Sequence, residues 1–208
     1  MALAGPSGYR SVVTNIHDLT VLELAAAVRS RELSPVEITA HYLDRIEALN
    51  ADVGAFYTVT ADAARDQAAE AEKAVARAGD PAALPPLTGV PIPIKDLNMV
   101  AGVRQTLGSL VYEDNVPDQS DHVSAALRAA GAVMPGKTAT PEFGLPCYTE
   151  TKIGPPARTP WDLSRSAGGS SGGAGQRRRR VDPDPVQRVR AVRDQAHPGP
   201  DLLGAAGA

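Results

Sequence analysis

Apolar and polar positions repeat with a helical period through the first 80 residues, and that period then breaks. In Leu19-Thr20-Val21-Leu22-Glu23-Leu24, Thr20 and Glu23 are spaced as a capping box, and Leu19 and Leu24 are placed for a hydrophobic staple. Leu22, Ala25, Ala26 and Val28 follow at helical spacing and predict one apolar face. A second helix starts at Leu33-Ser34-Pro35-Val36-Glu37-Ile38. Ser34 caps it, Pro35 fits its first turn, and Glu37 closes the box. Ile38, Tyr42, Leu43 and Ile46 form its apolar face. A third helix, rich in Ala and Glu, is expected from about Thr60 to Ala78, stopping at Gly79.

Beyond Pro81 the pattern changes. Val90-Pro91-Ile92-Pro93-Ile94 is apolar but carries prolines, so it reads as an edge strand or extended segment. Ser120 is placed to cap a helix over 121–130, with Gly131 at its C-terminal end. Ala132-Val133-Met134 then reads as a buried strand. Helix, glycine, strand is the rhythm of an α/β fold. From Pro141 to Gly175 the chain is expected to be loop-rich. Residues 176–208 hold seven Arg, four Asp and four Pro but no Lys, Glu, Ser or Thr, and no period survives there. That tail is expected to be disordered. The expected division is therefore 1–175 as the folded part and 176–208 as an unrelated tail.

Composition narrows the class. A hydrophobic fraction of 43% supports a packed core, and aromatics at 4% make that core aliphatic. The net charge of −3 points to no polyanionic partner, so neither nucleic acid nor membrane is expected to bind. Cys147 is the single cysteine, which rules out an intrachain disulfide and favours a reducing, cytoplasmic setting. No signal peptide and no 18-residue apolar run is present. His17, His41, His122 and His197 lack metal-ligand spacing, and neither a metal nor a cofactor is expected.

Three stretches carry candidate chemistry. Ala167-Gly168-Gly169-Ser170-Ser171-Gly172-Gly173-Ala174-Gly175 sets two adjacent hydroxyls among glycines whose amides stay uncovered. A flexible linker has similar composition, but the approach Trp161-Asp162-Leu163 is unlike one. Lys95 ends the apolar run 91–94. A surface lysine at a strand end is common, yet one drawn into the interior loses charge and becomes a usable base. Gly131 to Thr138 fits the phosphate-loop pattern G-x4-G-K-T, which needs a preceding strand and a following helix. Here a helix precedes, a strand occupies the loop, and Pro141 obstructs a following helix, so nucleotide binding is set aside. Arg177 to Arg180 could contact nucleic acid or acidic lipid, but aspartates and prolines follow at once without aromatics.

Taken together, three segments resemble the amidase signature family. They are Leu87-Thr88-Gly89-Val90-Pro91-Ile92-Pro93-Ile94-Lys95-Asp96, Gly136-Lys137-Thr138-Ala139-Thr140-Pro141-Glu142-Phe143-Gly144, and Thr159 to Gly173. The resemblance runs from about residue 17 to 175. It implies an α/β amidase-signature fold, with a helical N-terminus followed by part of a mixed central sheet. It also implies hydrolysis of small-molecule carboxylic amides by a Ser–cis-Ser–Lys triad. On this chain Lys95 is then the general base and Ser170 the bridging serine in a cis peptide. Ser171 supports the hydrogen-bond network, with Gly168, Gly169, Gly172 and Gly173 around it. Backbone amides of a Gly-rich turn would hold the oxyanion.

The chain departs from the family at the nucleophile. The family places it roughly two dozen residues after the bridging serine, in a Gly-rich turn, whereas no serine follows Ser171 here. A truncated, inactive amidase is the resulting expectation, with substrate identity and oligomeric state left open. Codon logic permits a frameshift: read one base later, Val181 to Pro185 allow Leu-Thr-Pro-Ile, close to where the family commonly carries it. Two alternative readings remain: a non-catalytic interaction protein using the Arg-rich tail, or an ammonia-passing amidotransferase subunit.

Overall fold

A computed structural model describes residues 15–168. Helix α1 (Val21–Arg29) opens with the predicted capping box: the Glu23 carboxylate accepts the Thr20 N–H at 2.7 Å, and Thr20 Oγ1 accepts the Glu23 N–H at 3.3 Å. Leu19 packs against the cluster that holds Leu24. The buried face differs from the predicted one. Leu24, Ala25, Ala27 and Val28 are buried, whereas Leu22 is 78% exposed and Ala26 also faces outward. The face is fixed by packing against Ile38 and Val90, which selects Leu24 and Val28 over the row through Leu22.

Helix α2 (Pro35–Val53) is capped by Ser34, whose Oγ accepts the Val36 and Glu37 N–H groups, with Pro35 in the first turn. The carboxylate that engages Ser34 is Glu72 of helix α3 (Ala61–Arg77), not Glu37. A carboxylate from a neighbouring helix ties two elements together, which a local box cannot do. Ile38 and Leu43 are buried, and Tyr42 and Ile46 are half-buried. Gly54 ends α2 at φ +58°, where an added Cβ would stand 2.6 Å from the Pro156 carbonyl oxygen. Glycine is required there by both torsion and space.

Between α2 and α3 lies a strand the helical reading overlooked, β1 (Phe56–Val59). Asn50 brackets its start: its Oδ1 accepts the Phe56 N–H at 2.7 Å and its Nδ2 donates to the Phe56 carbonyl at 3.0 Å. Strand β1 runs antiparallel to β3 (Gly136–Thr138), and β2 (Ile94–Lys95) runs parallel to β3 on its other side, giving the order β1–β3–β2. Helix α4 (His122–Ala129) is capped by Asp121, whose carboxylate accepts the Ser124 N–H at 2.8 Å. Ser120, the predicted cap, instead accepts the Ala101 N–H. The aspartate sits one residue closer to the first turn and faces its amides.

Gly131 closes α4 at φ +87°, as predicted. Ala132, Val133 and Met134 are buried, but the regular strand begins only at Gly136, four residues after the expected start, and Val133 makes only an isolated bridge to Pro91. Pro135 interrupts the run and delays regular pairing. Gly136 lets β1 approach, because a Cβ there would meet the Thr58 carbonyl oxygen at 2.3 Å. The stretch expected to be loops also contains a hairpin, β4 (Arg158–Thr159) with β5 (Asp162–Ser166).

The segment leading into β2 lies along β3 by alternate residues. The Ile92 N–H donates to the Val133 carbonyl, Val133 N–H to Val90, and Asp96 N–H to Thr138. Residues 90, 92, 94 and 96 thus direct their backbone groups toward β3, while 91, 93 and 95 direct theirs to the other flank. Pro91 and Pro93 both fall on that outer flank. Among the described residues β2 lies at the edge of the sheet, as the sequence leads one to expect.

The core is aliphatic, as composition required. One cluster joins Leu24, Val28, Ile38, Val75 and Val90 across α1, α2 and α3; a second joins Leu43, Ala64, Ala68 and Val133; a third joins Ile94, Val100 and Met134. Among the described residues no helix is long and apolar enough to cross a membrane.

His17 and His41 stack with rings 5.2 Å apart, their Nδ1 and Nε2 3.1 Å from each other. Burial first, then the His17 ring and Arg45, holds His41 below its ordinary value of 6.5. Asp44 and Glu37 oppose the shift. The unfolded chain therefore binds the proton more readily just below pH 6.5, so stability declines as pH falls through that window. Thermal melts of the wild-type chain and His41→Gln across pH 5–7 are expected to show a decline in the first and a flatter profile in the second. Equal slopes would remove His41 as the cause.

Candidate active site

Strand β2 is short because Pro91 and Pro93 precede it and a turn at 95–98 follows, closed by the Asn98 N–H on the Lys95 carbonyl at 2.9 Å. Lys95 is only 9% exposed. Its register partner is Thr138, which also stands opposite Phe56 of β1. Directly paired residues share a sheet face, so Phe56, Thr138 and Lys95 form one row. Thr138 Oγ1 in this row is buried and lacks a hydrogen-bond partner among the described residues.

Successive residues point to opposite faces, so Ile94, Asp96 and Lys137 belong to the other side. There Asp96, 0% exposed, gathers three donors. Its Oδ1 accepts Lys137 Nζ at 3.0 Å, and its Oδ2 accepts the Thr106 N–H at 2.9 Å and the Thr106 hydroxyl at 2.5 Å. Thr106 Oγ1 accepts the Gly108 N–H in turn. Lys137 is itself 1% exposed. Burial pushes its amine below the usual lysine range, while the Asp96 charge and hydrogen bond pull it back up. Charges so placed are costly unless paired and hydrogen-bonded, and this pair is both.

Around the pair, polar side chains stitch the loops to the sheet. Asn98 Nδ2 donates to Asp121 Oδ2 at 2.6 Å, which links the turn after β2 to the cap of α4. Gln105 Nε2 donates to the Leu97 carbonyl at 3.0 Å. The Tyr57 hydroxyl donates to the Thr140 carbonyl at 2.9 Å and meets Thr151 Oγ1 at 2.8 Å; burial pushes its phenol upward. Two non-glycine residues, Leu107 at φ +53° and Phe143 at φ +51°, face each other through the Phe143 N–H on the Leu107 carbonyl. Gly108 permits this approach, since a Cβ would meet the Thr140 carbonyl oxygen at 2.7 Å. Left-handed torsions in non-glycine residues concentrate at functional sites.

Of the residues singled out from sequence, Lys95 lies in the sheet as described and Gly168 adopts φ +80° with open space where a Cβ would stand. Gly169, Ser170, Ser171, Gly172 and Gly173 lie outside the described residues, as do His197 and residues 176–208. No cis peptide bond occurs among the described residues. The phosphate-loop pattern is accounted for otherwise. The N–H groups of Gly131, Ala132 and Val133 donate to the carbonyls of Arg128, Leu127 and Val90, and Lys137 is spent on Asp96. The Asp96–Lys137 pair was missed from sequence. The available signal was two charged residues, each embedded in a small or apolar stretch.

Known proteins share this sequence pattern and fold. A family model described as Amidase matches residues 37–176. A glutamyl-tRNA(Gln) amidotransferase chain of Geobacter sp. (strain M21) is 43% identical over 159 residues, 76% of this chain and 32% of that protein. Among solved structures, a bacterial aryl acylamidase belonging to the amidase signature enzymes superposes with a TM-score of 0.69 at 29% identity, covering 76% of this chain and 33% of its own. A 6-aminohexanoate cyclic dimer hydrolase gives a TM-score of 0.65 at 29% identity, covering 76% and 30%. The chain spans 32% of the Geobacter protein's length.

Proposed function

Since this chain belongs to the amidase signature family, we propose that residues 1–175 supply the base side of an amide-hydrolysing site, with Lys95 as general base and Ser170 as the serine that relays its proton. The observation that carries this reading is the burial of Lys95 at the end of β2, inside the matched segment. A lysine withdrawn from water is more readily neutral near pH 7 than an exposed one, and only the neutral amine can accept a proton. In the proposed step, Lys95 Nζ takes the Ser170 hydroxyl proton as Ser170 takes one from a nucleophilic serine. That serine attacks the amide carbonyl carbon and forms a tetrahedral oxyanion. Collapse breaks the C–N bond, the leaving nitrogen takes the relayed proton and departs as ammonia or amine, and water then hydrolyses the acyl-enzyme.

The 208 residues contain no serine after Ser171, and the family match stops at residue 176. We therefore assign no turnover to these residues by themselves. Purified chain incubated with simple carboxylic amides is expected to release no ammonia above the uncatalysed rate. Joining residues 1–175 to the C-terminal portion of a matched relative is expected to restore release. Turnover by the unjoined chain would overturn the inactivity; a well-folded but inactive chimaera would overturn the role of residues 1–175.

A second reading is favoured by the Geobacter relative, whose name is that of an amidotransferase component. On that reading the same residues free ammonia for transfer within a larger assembly, and the small-molecule amide is an ammonia donor. Glutaminase activity that rises on adding partner subunits would select it. The exposed, unbridged Cys147 fits a reducing cytoplasmic setting under either reading.

A further inference from the structure

The two matched segments that carry Lys95 and Lys137 meet at one carboxylate. Asp96 follows Lys95 directly, yet alternation sends its side chain to the opposite sheet face. There it receives Lys137 Nζ from β3 and both donors of Thr106 from the following loop. On the backbone, the Asp96 N–H donates to the Thr138 carbonyl at 3.0 Å and is the last ladder bond of β2. β2 contains only two residues, so its own ladder is too short to fix where it ends. The buried pair does what the ladder cannot.

We propose that Asp96 and Lys137 are positioning residues for Lys95: their buried ion pair, clamped by Thr106, pins the end of β2 to β3 from the reverse face and holds Lys95 in the row beside Thr138. The proposal rests on the reading of Lys95 as the general base, and it gives the lysine of Gly136-Lys137-Thr138 a role that no phosphate is needed to explain. A slip of β2 by one residue would exchange the faces of Lys95 and Asp96. It would turn the amine toward α4 and leave the carboxylate in the row meant for the base. Within the sheet, the ion pair resists that slip because only one register brings Asp96 Oδ1 to Lys137 Nζ.

The chain has four lysines, Lys73, Lys95, Lys137 and Lys152, so each side-chain amine can be followed separately by NMR in the whole labelled chain. Lys95 is expected to titrate below an ordinary lysine in the wild-type chain, and the Asp96 amide to exchange slowly. In Lys137→Met, where Asp96 still accepts from Thr106, the Asp96 amide is expected to exchange at least tenfold faster. Lys95 is expected to move toward ordinary lysine behaviour, with Lys73 and Lys152 unchanged. Asp96→Asn combined with Lys137→Met removes both charges together, leaves none uncompensated, and serves if the single variant does not fold. The same two changes are expected in it.

Wild-type titration of Lys95 as an ordinary exposed lysine would defeat the general-base reading itself. Low titration in the wild type that persists in the folded variants, with Asp96 exchange unaltered, would leave that reading standing and overturn the positioning role.

Discussion

Replacing Lys95 by alanine in the joined enzyme is expected to slow amide hydrolysis by roughly 10²–10⁴-fold, the span that general acid–base groups commonly contribute. The loss should fall on kcat rather than KM, because the amine moves a proton and does not grip the substrate. Lys152→Ala is the matched control: it removes an exposed lysine and should leave the rate unchanged. The pH profile adds a second test. A base that works unprotonated gives a rate that climbs with pH on the acid side, and that limb should disappear in Lys95→Ala. If both alanine variants retain full activity with the same profile, Lys95 is not the base.

The second large effect is on stability. Asp96→Ala leaves the Lys137 ammonium buried without its counter-charge and strands the Thr106 N–H and hydroxyl. Removing one partner of a buried ion pair costs about 3–5 kcal/mol, and at about 2–4 °C per kcal/mol for a chain of this size Tm should drop by roughly 10 °C. The sign with pH follows from Lys137, held below its ordinary 10.5 by burial. Folded Lys137 binds its proton less tightly than unfolded Lys137, so stability rises as pH climbs toward 10.5. With Asp96 gone the opposing attraction is lost, and the rise should begin at lower pH. Circular-dichroism melts at pH 7 and pH 9.5 give both readings. A variant that melts within 2 °C of wild type at pH 7 would show that the pair contributes little.

Many of the local signals in the sequence are met because the physics behind them is local. The Thr20–Glu23 box, the Ser34 cap with Pro35, the extent of α3 and the glycine after α4 each depend on a few neighbouring residues, and each is present. Features set by distant contacts were not legible. β1 is four residues joined to β3, some eighty positions away, and carries no period of its own. The face of α1 was misplaced by one row because Val90 and Ile38 decide it. Asp121 displaced Ser120 as a cap because both residue types are competent and only the path of the loop chooses between them. Of the candidate site, the position of Lys95 at the end of an apolar run allowed for the burial it shows, while its proposed role came from the family resemblance. Its supporting pair was hidden, because Lys137 sat inside a pattern that suggests phosphate.

Exposed apolar side chains such as Val111, Leu145 and Tyr148 make self-association a concern for the isolated chain. The β2 flank is protected against one form of it. A foreign segment laid alongside residues 91–95 would seek hydrogens at 91 and 93 and find pyrrolidine rings instead. It would lose those two donors and with them part of the usual ladder. Templating on this side is therefore disfavoured by covalent structure, and that bias does not change with pH, salt or temperature.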